Sequence, residues 1–371
     1  MKLFRGLMSA DNGIAAHKLA REKAATKTVL QKAGFRVPRS CDVQERDAIP
    51  EELFRRIQTL DLLPGVMKPN SGSHGRNVTM NIRSLKEFRT ALMAVGNSAI
   101  FEEQIEGKDY RLLTVGDSLA AATERKPAHV VGDGMSTVKQ LVAQKNELRR
   151  ENPSTRKHLI SLVDRTCLAQ QELGVESVPG KGVEVRLQSV ANIGSGGEAY
   201  DRTAEVHPEF VHICEQVSPL IGGTEVLGID IIAQDISKAP DLQKWAILEL
   251  NANPDIDLHH FPWQGEPQDV ADLLAQLYFP KSEIGEPLKV VFSIGGKVRL
   301  PKLAEWIERN CTVAGLAVEQ IADDSGVTLL LEGTRASIDW FVEMLIRSRT
   351  GAIIRSIEYS EDPDNDLRRR S

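Results

Sequence analysis

The stretch Lys244-Trp-Ala-Ile-Leu-Glu-Leu-Asn-Ala-Asn-Pro254 constrains the fold more than any other. Ile247, Leu248 and Leu250 form the apolar run of a buried strand. Glu249 and Asn251 interrupt that run two positions apart, and strand side chains alternate. Both polar groups therefore project from one face, while Leu248 and Leu250 fill the other. A carboxylate without a partner in an apolar setting is expensive, so the polar face needs company. A second strand, Val226-Leu-Gly-Ile-Asp-Ile-Ile232, repeats the device with Asp230 between two isoleucines. Taken alone, either strand is better read as a core strand with satisfied polar groups. Together they offer Asp, Glu and Asn oxygens, the hard donors that suit magnesium bridging to a nucleotide's phosphates.

The rest of the chain bounds that reading. A length of 371 residues fits roughly two or three domains. A net charge of −6 gives no reason to expect nucleic acid or an anionic membrane as partner. Cys41, Cys167, Cys214 and Cys311 lack metal or redox spacing, so reduced thiols are expected. Met1–Met8 has no long apolar core and is not read as a signal peptide. No run is long enough to span a bilayer. The expectation is a soluble cytoplasmic protein acting on small molecules, with a homodimer left open.

In chain order, residues 15–34 read as one basic helix ending at Gly34, its lysines mostly a solvated face. A second helix is expected over 49–59. Val66-Met-Lys-Pro-Asn-Ser-Gly-Ser-His-Gly-Arg-Asn-Val78 then delivers Lys68 on a short strand, followed by a Gly- and Ser-rich loop. Gly72 and Gly75 let backbone N–H groups approach an anion, and Ser71, Ser73 and Lys68 could add donors. The Walker pattern is absent, and an ordinary surface turn reads about as well. An amphipathic helix (84–95), a strand (99–105), a hairpin (110–115 and 118–123) and a helix (137–149) follow. Arg111 opens its strand among apolar residues. Val185–Glu198 is a strand running into a second Gly-rich loop, Gly194–Gly197, which covers phosphates or substrate, or is simply a mobile surface loop. Helices over 208–221 and 269–277 flank the two metal strands. His259 and His260 lack metal-site spacing and read as loop residues. Beyond a linker near Phe279–Pro287 the order strand, helix, strand, strand, helix, strand (288–360) is the ferredoxin-like βαββαβ pattern, with Trp306, Leu329, Leu331, Trp340 and Phe341 as its core.

With these blocks in place, residues 15–281 resemble the ATP-grasp superfamily, and within it the ATP-grasp regions of cyanophycin synthetase and of bifunctional glutathione synthetases. The resemblance rests on several blocks in order. They are Glu22-Lys-Ala-Ala-Thr-Lys27, the Lys68 strand with Ser71–Arg76, Phe101-Glu-Glu-Gln-Ile105 and Asp109-Tyr-Arg111. Lys126–Gly134, Asn192–Asp201, Gly228-Ile-Asp-Ile231 and Leu248–Pro254 complete the set. The resemblance implies an α+β ATP-grasp fold and an ATP-dependent carboxylate–amine ligase, with an amino acid or small peptide as substrate. It further implies that Lys23 and Lys68 contact ATP phosphates and that Ser71, Gly72, Ser73, His74 and Gly75 form the phosphate lid. Glu102, Glu103 and Ile105 would line adenine, and Asp109 would take the ribose. Asp230, Glu249 and Asn251 would hold magnesium, with manganese as a substitute. Arg111, Asn192, Gly196 and Gly197 would stand near the acyl phosphate and the incoming amine.

Departures qualify the acceptor side. Gln188 stands where cyanophycin synthetases usually carry Arg, and Gly194-Ser195 where they carry Ser-Thr. Their large N-terminal and Mur-ligase-like C-terminal domains have no counterpart in this sequence, so synthesis of the full branched polymer is not expected. Residues 287–360 resemble acylphosphatase with an eroded signature: the Gly-rich phosphate loop is missing before Arg299, and Gln320 replaces the catalytic asparagine. A non-catalytic ferredoxin-like domain is expected there. The expected organisation is an extension (1–14), the ATP-grasp domain (15–281), that small domain (287–360) and a disordered tail (361–371). A non-catalytic nucleotide-binding regulator and a kinase stopping at phosphorylation are the rival functions.

Overall fold

The computed structural model describes residues 4–5, 8–9, 14–44, 49–70, 77–96, 98–161, 163–221, 224–278, 287–297, 300–323, 326–347 and 353–360. The expected lid (Ser71, Gly72, Ser73, His74, Gly75), the linker from 279 and the tail from 361 lie outside those residues. The chain divides into two compact units, Met1–Tyr278 and Phe279–Ser371.

Helices α1 (Ile14–Arg21) and α2 (Lys23–Lys32) replace the single helix expected over 15–34. The break falls at Glu22, which is extended at φ −100° and ψ 96°. Its cause is distant in sequence. Asn70 accepts the first amides of α2, Lys23 N on its carbonyl (3.2 Å) and Ala24 N on Oδ1 (3.0 Å). Helix N-termini leave such amides unsatisfied, so an outside acceptor stabilises a new start. The break places Lys23 at the head of α2.

Strands β1 (Ser40–Gln44), β2 (Gly65–Pro69), β3 (Thr79–Ile82) and β4 (Ser98–Glu103) form an antiparallel sheet in the order β1-β4-β2-β3. Helices α3 (Pro50–Thr59) and α4 (Leu85–Val95) pack on it, burying Phe54, Ile57, Phe88 and Leu92 against Met67 and Phe101. Ser84 and Glu87 close a capping box at the start of α4, which fixes where that helix begins.

The hairpin β5 (Lys108–Val115) and β6 (Ser118–Lys126) leads to β7 (His129–Val131), α5 (Val138–Glu151), the short α6 (Arg165–Ala169) and β8 (Glu184–Arg186), which pairs with β7. Then follow β9 (Glu198–Asp201), α7 (Pro208–Leu220), β10 (Val226–Ala233), β11 (Trp245–Asn251), α8 (Asp257–His260) and α9 (Val270–Tyr278). The central antiparallel sheet has the order β9-β6-β5-β10-β11. Its two faces are set by alternation. Tyr110, Leu112, Leu227, Ile229 and Ile231 share a core with Phe210, Cys214 and Val217 of α7. On the other face, Leu113 and Val226 share a core with Val270 and Leu274 of α9, while Asp109, Arg111 and Asp230 open into a cleft.

One expectation about β11 is corrected. Asp230 pairs with Glu249 but Ile231 pairs with Ile247, so Leu248 is an extra residue in a β-bulge. Leu250 is buried as the alternation requires, whereas Leu248 is half-buried and lines the cleft beside Glu249.

The second unit runs β12 (Leu288–Lys297), α10 (Leu300–Ala314), β13 (Ala317–Asp323), β14 (Gly326–Gly333), α11 (Arg335–Arg347) and β15 (Ile353–Ser360). Its antiparallel sheet has the order β13-β14-β12-β15. Phe292, Ile307, Leu329, Leu331 and Phe341 are fully buried, and Trp306 packs at the margin of their cluster. Trp340, expected in that core, is 36% exposed. It precedes Phe341 on α11, and neighbouring helix residues do not share a face.

Candidate functional site

A cleft of ≈ 950 Å³ in the first unit is lined from the N-terminal sheet, the central sheet and the loop after β8. It brings together Lys23, Lys68, Glu102, Glu103, Ile105, Asp109, Arg111, Asn192, Asp230, Glu249 and Asn251. Gly196 and Gly197 do not line it. Both are buried behind the loop, where Gly196 has φ +98° and a Cβ would meet Ile160 Cγ1 at 2.7 Å. A Cβ on Gly197 would meet the Asn192 carbonyl at 2.6 Å. They shape the turn, and Asn192, Ile193 and Gly194 are the members that reach the cleft.

The floor is a charge network across three strands. Arg111 clasps Asp230 through Nε and through Nη2 (3.1 Å), and Arg125 Nη2 reaches the same carboxylate at 3.0 Å. Arg125 Nε also donates to Asp109 at 2.6 Å. Burial raises the pKa of Asp230, but Arg111 and Arg125 outweigh it and hold the carboxyl well below the usual range. Asp109 is shifted the other way, upward by burial despite Arg125, with the Asp230 charge adding to the rise. Glycine at 228 is what lets the Arg111 side chain cross β10: a Cβ there would meet Arg111 Cδ at 3.1 Å and Pro254 Cβ at 3.0 Å. Sequence reasoning gave Arg125 no role. The signal was present, because the hairpin register sets Arg125 directly opposite Asp109.

Glu249 faces Lys23 Nζ at 3.3 Å, and Asn251 Nδ2 lies 3.5 Å from Glu249 Oε1. The head of α2 and the bulged strand β11 thus meet at the cleft. Glu102 lies deeper. Its carboxylate bridges Lys27 Nζ at 2.5 Å and Lys68 Nζ at 2.8 Å, and Lys27 also donates to the Pro38 carbonyl at 3.2 Å. All three side chains are nearly enclosed, so Lys27 is no part of a solvated face. Burial is the main cause that pushes the Lys27 pKa down to about 8, with Glu102 opposing and Lys68 reinforcing. Glu103 turns away to Arg39, whose Nε and Nη2 each sit 2.8 Å from Oε2.

At the far end, Asn192 caps a short turn by accepting from Gly194 N at 2.9 Å. The histidines of 259–260 form α8 rather than a loop. His259 is buried with Nδ1 2.8 Å from Thr123 Oγ1. Burial, then Arg111 and His260, push its pKa down to about 3, so it is neutral at ordinary pH. His260 Nε2 accepts from Ala271 N at 2.9 Å at the start of α9. Among the described residues no group of three His, Cys, Asp or Glu could hold a metal ion. The oxygen-bearing set Asp230, Glu249 and Asn251, which lines the cleft, has an amide as its third member. Among the described residues no helix is long and apolar enough to cross a membrane.

No family model matches the chain. Among individual proteins, cyanophycin synthetase of Crocosphaera subtropica is 35% identical over 319 residues, spanning 83% of this chain and 36% of that protein. The glutathione biosynthesis bifunctional protein GshAB of Pasteurella multocida is 30% identical over 292 residues, 75% of this chain and 38% of that one. The crystal structure of a bifunctional glutathione synthetase from Pasteurella multocida matches with a TM-score of 0.54 at 27% identity, covering 75% of this chain and 38% of the other. The chain therefore spans little more than a third of the length of these relatives. Sequence and fold comparisons agree with one another, and this chain belongs to the ATP-grasp superfamily.

Proposed function

We propose that the chain is an ADP-forming, ATP-dependent ligase that joins a carboxylate to an amine through an acyl phosphate. The substrates are an amino acid or a small peptide. The observation that carries this reading is the cleft in which Lys23, Lys68, Arg111 and Arg125 converge with Asp230, Glu249 and Asn251. Phosphoryl transfer needs positioning and charge neutralisation more than a protein nucleophile. In the reaction the substrate carboxylate attacks the γ-phosphorus, ADP leaves, and the amine then displaces phosphate to leave an amide.

Each role is the one the ATP-grasp resemblance implies, carried by residues that line the cleft. Lys23 and Lys68 take the phosphates, the chain at Glu102–Ile105 takes adenine, and Asp109 takes the ribose. Arg111 and the Asn192–Gly194 turn hold the acyl phosphate and the amine. The donor set fits a divalent metal: Glu249 and Asn251 line the cleft and carry oxygen donors, and Asp230 is kept ionised by its arginines. A magnesium ion, or manganese in its place, held by these residues would supply positive charge to offset that of the phosphates. Asp230 already serves Arg111 and Arg125, so Glu249 and Asn251 are the stronger candidates for direct ligation.

For residues 287–360 the βαββαβ order and the sheet order β13-β14-β12-β15 support a ferredoxin-like, acylphosphatase-like domain. Four free, buried cysteines support a reducing, cytoplasmic setting. The test is a phosphate-release screen of amino-acid pairs with ATP and magnesium. Amine-dependent release with a condensed product in the mass spectrum supports the ligase. ATP binding without turnover on any pair would indicate a regulator, and release without condensation a kinase.

A further inference from the structure

Arg149 of α5 is fully buried and is the largest side chain so enclosed among the described residues. Its nitrogens donate to main-chain carbonyls rather than to a carboxylate. Nε and Nη2 both reach the His158 carbonyl, at 3.0 and 2.7 Å, and Nη1 reaches the Gly197 carbonyl at 3.1 Å. A buried guanidinium is costly to desolvate, and this one is satisfied by fixing backbone. The two segments it joins lie 39 residues apart in sequence (158 and 197), and each contributes to the cleft lining: Ser154 and His158 from one, Asn192 and Gly194 from the other. A second contact ties them independently, because Gly196 lies against Ile160 so closely that a Cβ would come within 2.7 Å of Ile160 Cγ1. Asn146, one turn earlier on α5, clamps Ile160 itself, donating from Nδ2 to its carbonyl (3.0 Å) and accepting its amide on Oδ1 (2.8 Å).

We infer that Arg149 is a positioning residue that holds the 154–160 segment and the Asn192–Gly197 turn in register as the two walls of the acceptor end of the cleft. It touches no substrate. It acts through Asn192, Gly194 and His158, and the nucleotide end is built from other elements, β2, β4 and the head of α2. The identity of that end as the amine site rests on the ligase reading. The clamp itself rests on the hydrogen bonds.

The test uses the full chain with Arg149→Met and Arg149→Lys. Hydrogen exchange of 154–160 and 192–197 is measured together with affinity for magnesium–AMP-PNP. KM for amine and for ATP is measured on whichever amino-acid pair gives the most phosphate release with the wild-type protein. In Arg149→Met the amine KM should rise roughly tenfold or more, as misplacement by about 1 Å allows, while ATP KM stays within about twofold. Both segments should exchange faster, AMP-PNP affinity should hold, and Arg149→Lys should recover part of the loss. A parallel rise in both KM values, unchanged KM values, or unchanged exchange in the two segments would overturn the inference. If the wild-type protein shows no amine-dependent turnover, the ligase reading fails. Exchange then decides the clamp alone: acceleration confined to the two segments supports it, and its absence overturns it. If Arg149→Met does not fold, Arg149→Lys carries the same measurements.

Discussion

The buried cluster Lys27–Glu102–Lys68 makes a quantitative claim about pH. One carboxylate serves two ammonium groups, and enclosure pushes the Lys27 pKa from 10.5 down to about 8. Groups facing it are Glu102 and Glu103, which favour its charge, and Lys68, which opposes it. A lysine with a depressed folded pKa destabilises the folded chain while it is protonated, and that cost is fully present below pH 8. Between about 8 and 10.5 the unfolded chain holds a proton that the folded chain has lost, so stability rises with pH across that window. The gap, at ~1.4 kcal/mol per pH unit, amounts to about 3 kcal/mol. Lys27→Met removes this titration. Urea unfolding of both proteins, followed by hydrogen exchange over the β1–β4 sheet, should show the wild-type protein gaining about 3 kcal/mol on the variant between pH 8 and 10.5. If their difference in stability stays constant over that window, Lys27 is not held as described.

Three further outcomes are expected. Lys68→Ala should weaken binding of an ATP analogue by about 1.5–3 kcal/mol, read by calorimetry, and unchanged affinity would leave Lys68 as a structural partner of Glu102 only. Glu249→Gln should abolish turnover with an unchanged unfolding midpoint, and wild-type rate with ordinary magnesium dependence would remove it from the metal set. A chain ending at Glu283 should fold and bind the analogue, while the isolated second unit hydrolyses no acyl phosphate. Loss of binding in a folded truncation, or clear hydrolysis by the unit, would give the second unit a part in the chemistry.

Much of the architecture was legible because the signals are local. Alternation in Val226–Ile232 put Asp230 opposite the isoleucines that meet α7, and the order of elements in the second unit followed from periodicity. What escaped depends on contacts between distant segments. The break at Glu22 is created by Asn70, and the bulge at Leu248 by the register against β10, neither of which a single strand or helix announces. Lys27 looked like one more cation on a basic helix, since its partner Glu102 lies on another element. Arg149 carried no motif. Its importance comes from two carbonyls, and carbonyls are the same in every residue. The resemblance puts Gly196 and Gly197 near the acyl phosphate and the amine, but neither lines the cleft, and close packing against Ile160 and Asn192 explains glycine at both positions.

The acyl phosphate is the centre of the proposed chemistry, and an oxygen label reads it directly. The amino-acid pair that supports turnover is supplied with its reacting carboxylate carrying oxygen-18, together with ATP and magnesium, and the released phosphate is examined by mass spectrometry. The proposed route forms a bond from carboxylate oxygen to the γ-phosphorus and breaks the acyl carbon–oxygen bond when the amine attacks. It therefore predicts one labelled oxygen in the phosphate for each amide formed, with ADP as the other product. Amide formation with unlabelled phosphate, or with the label appearing in AMP, would contradict it.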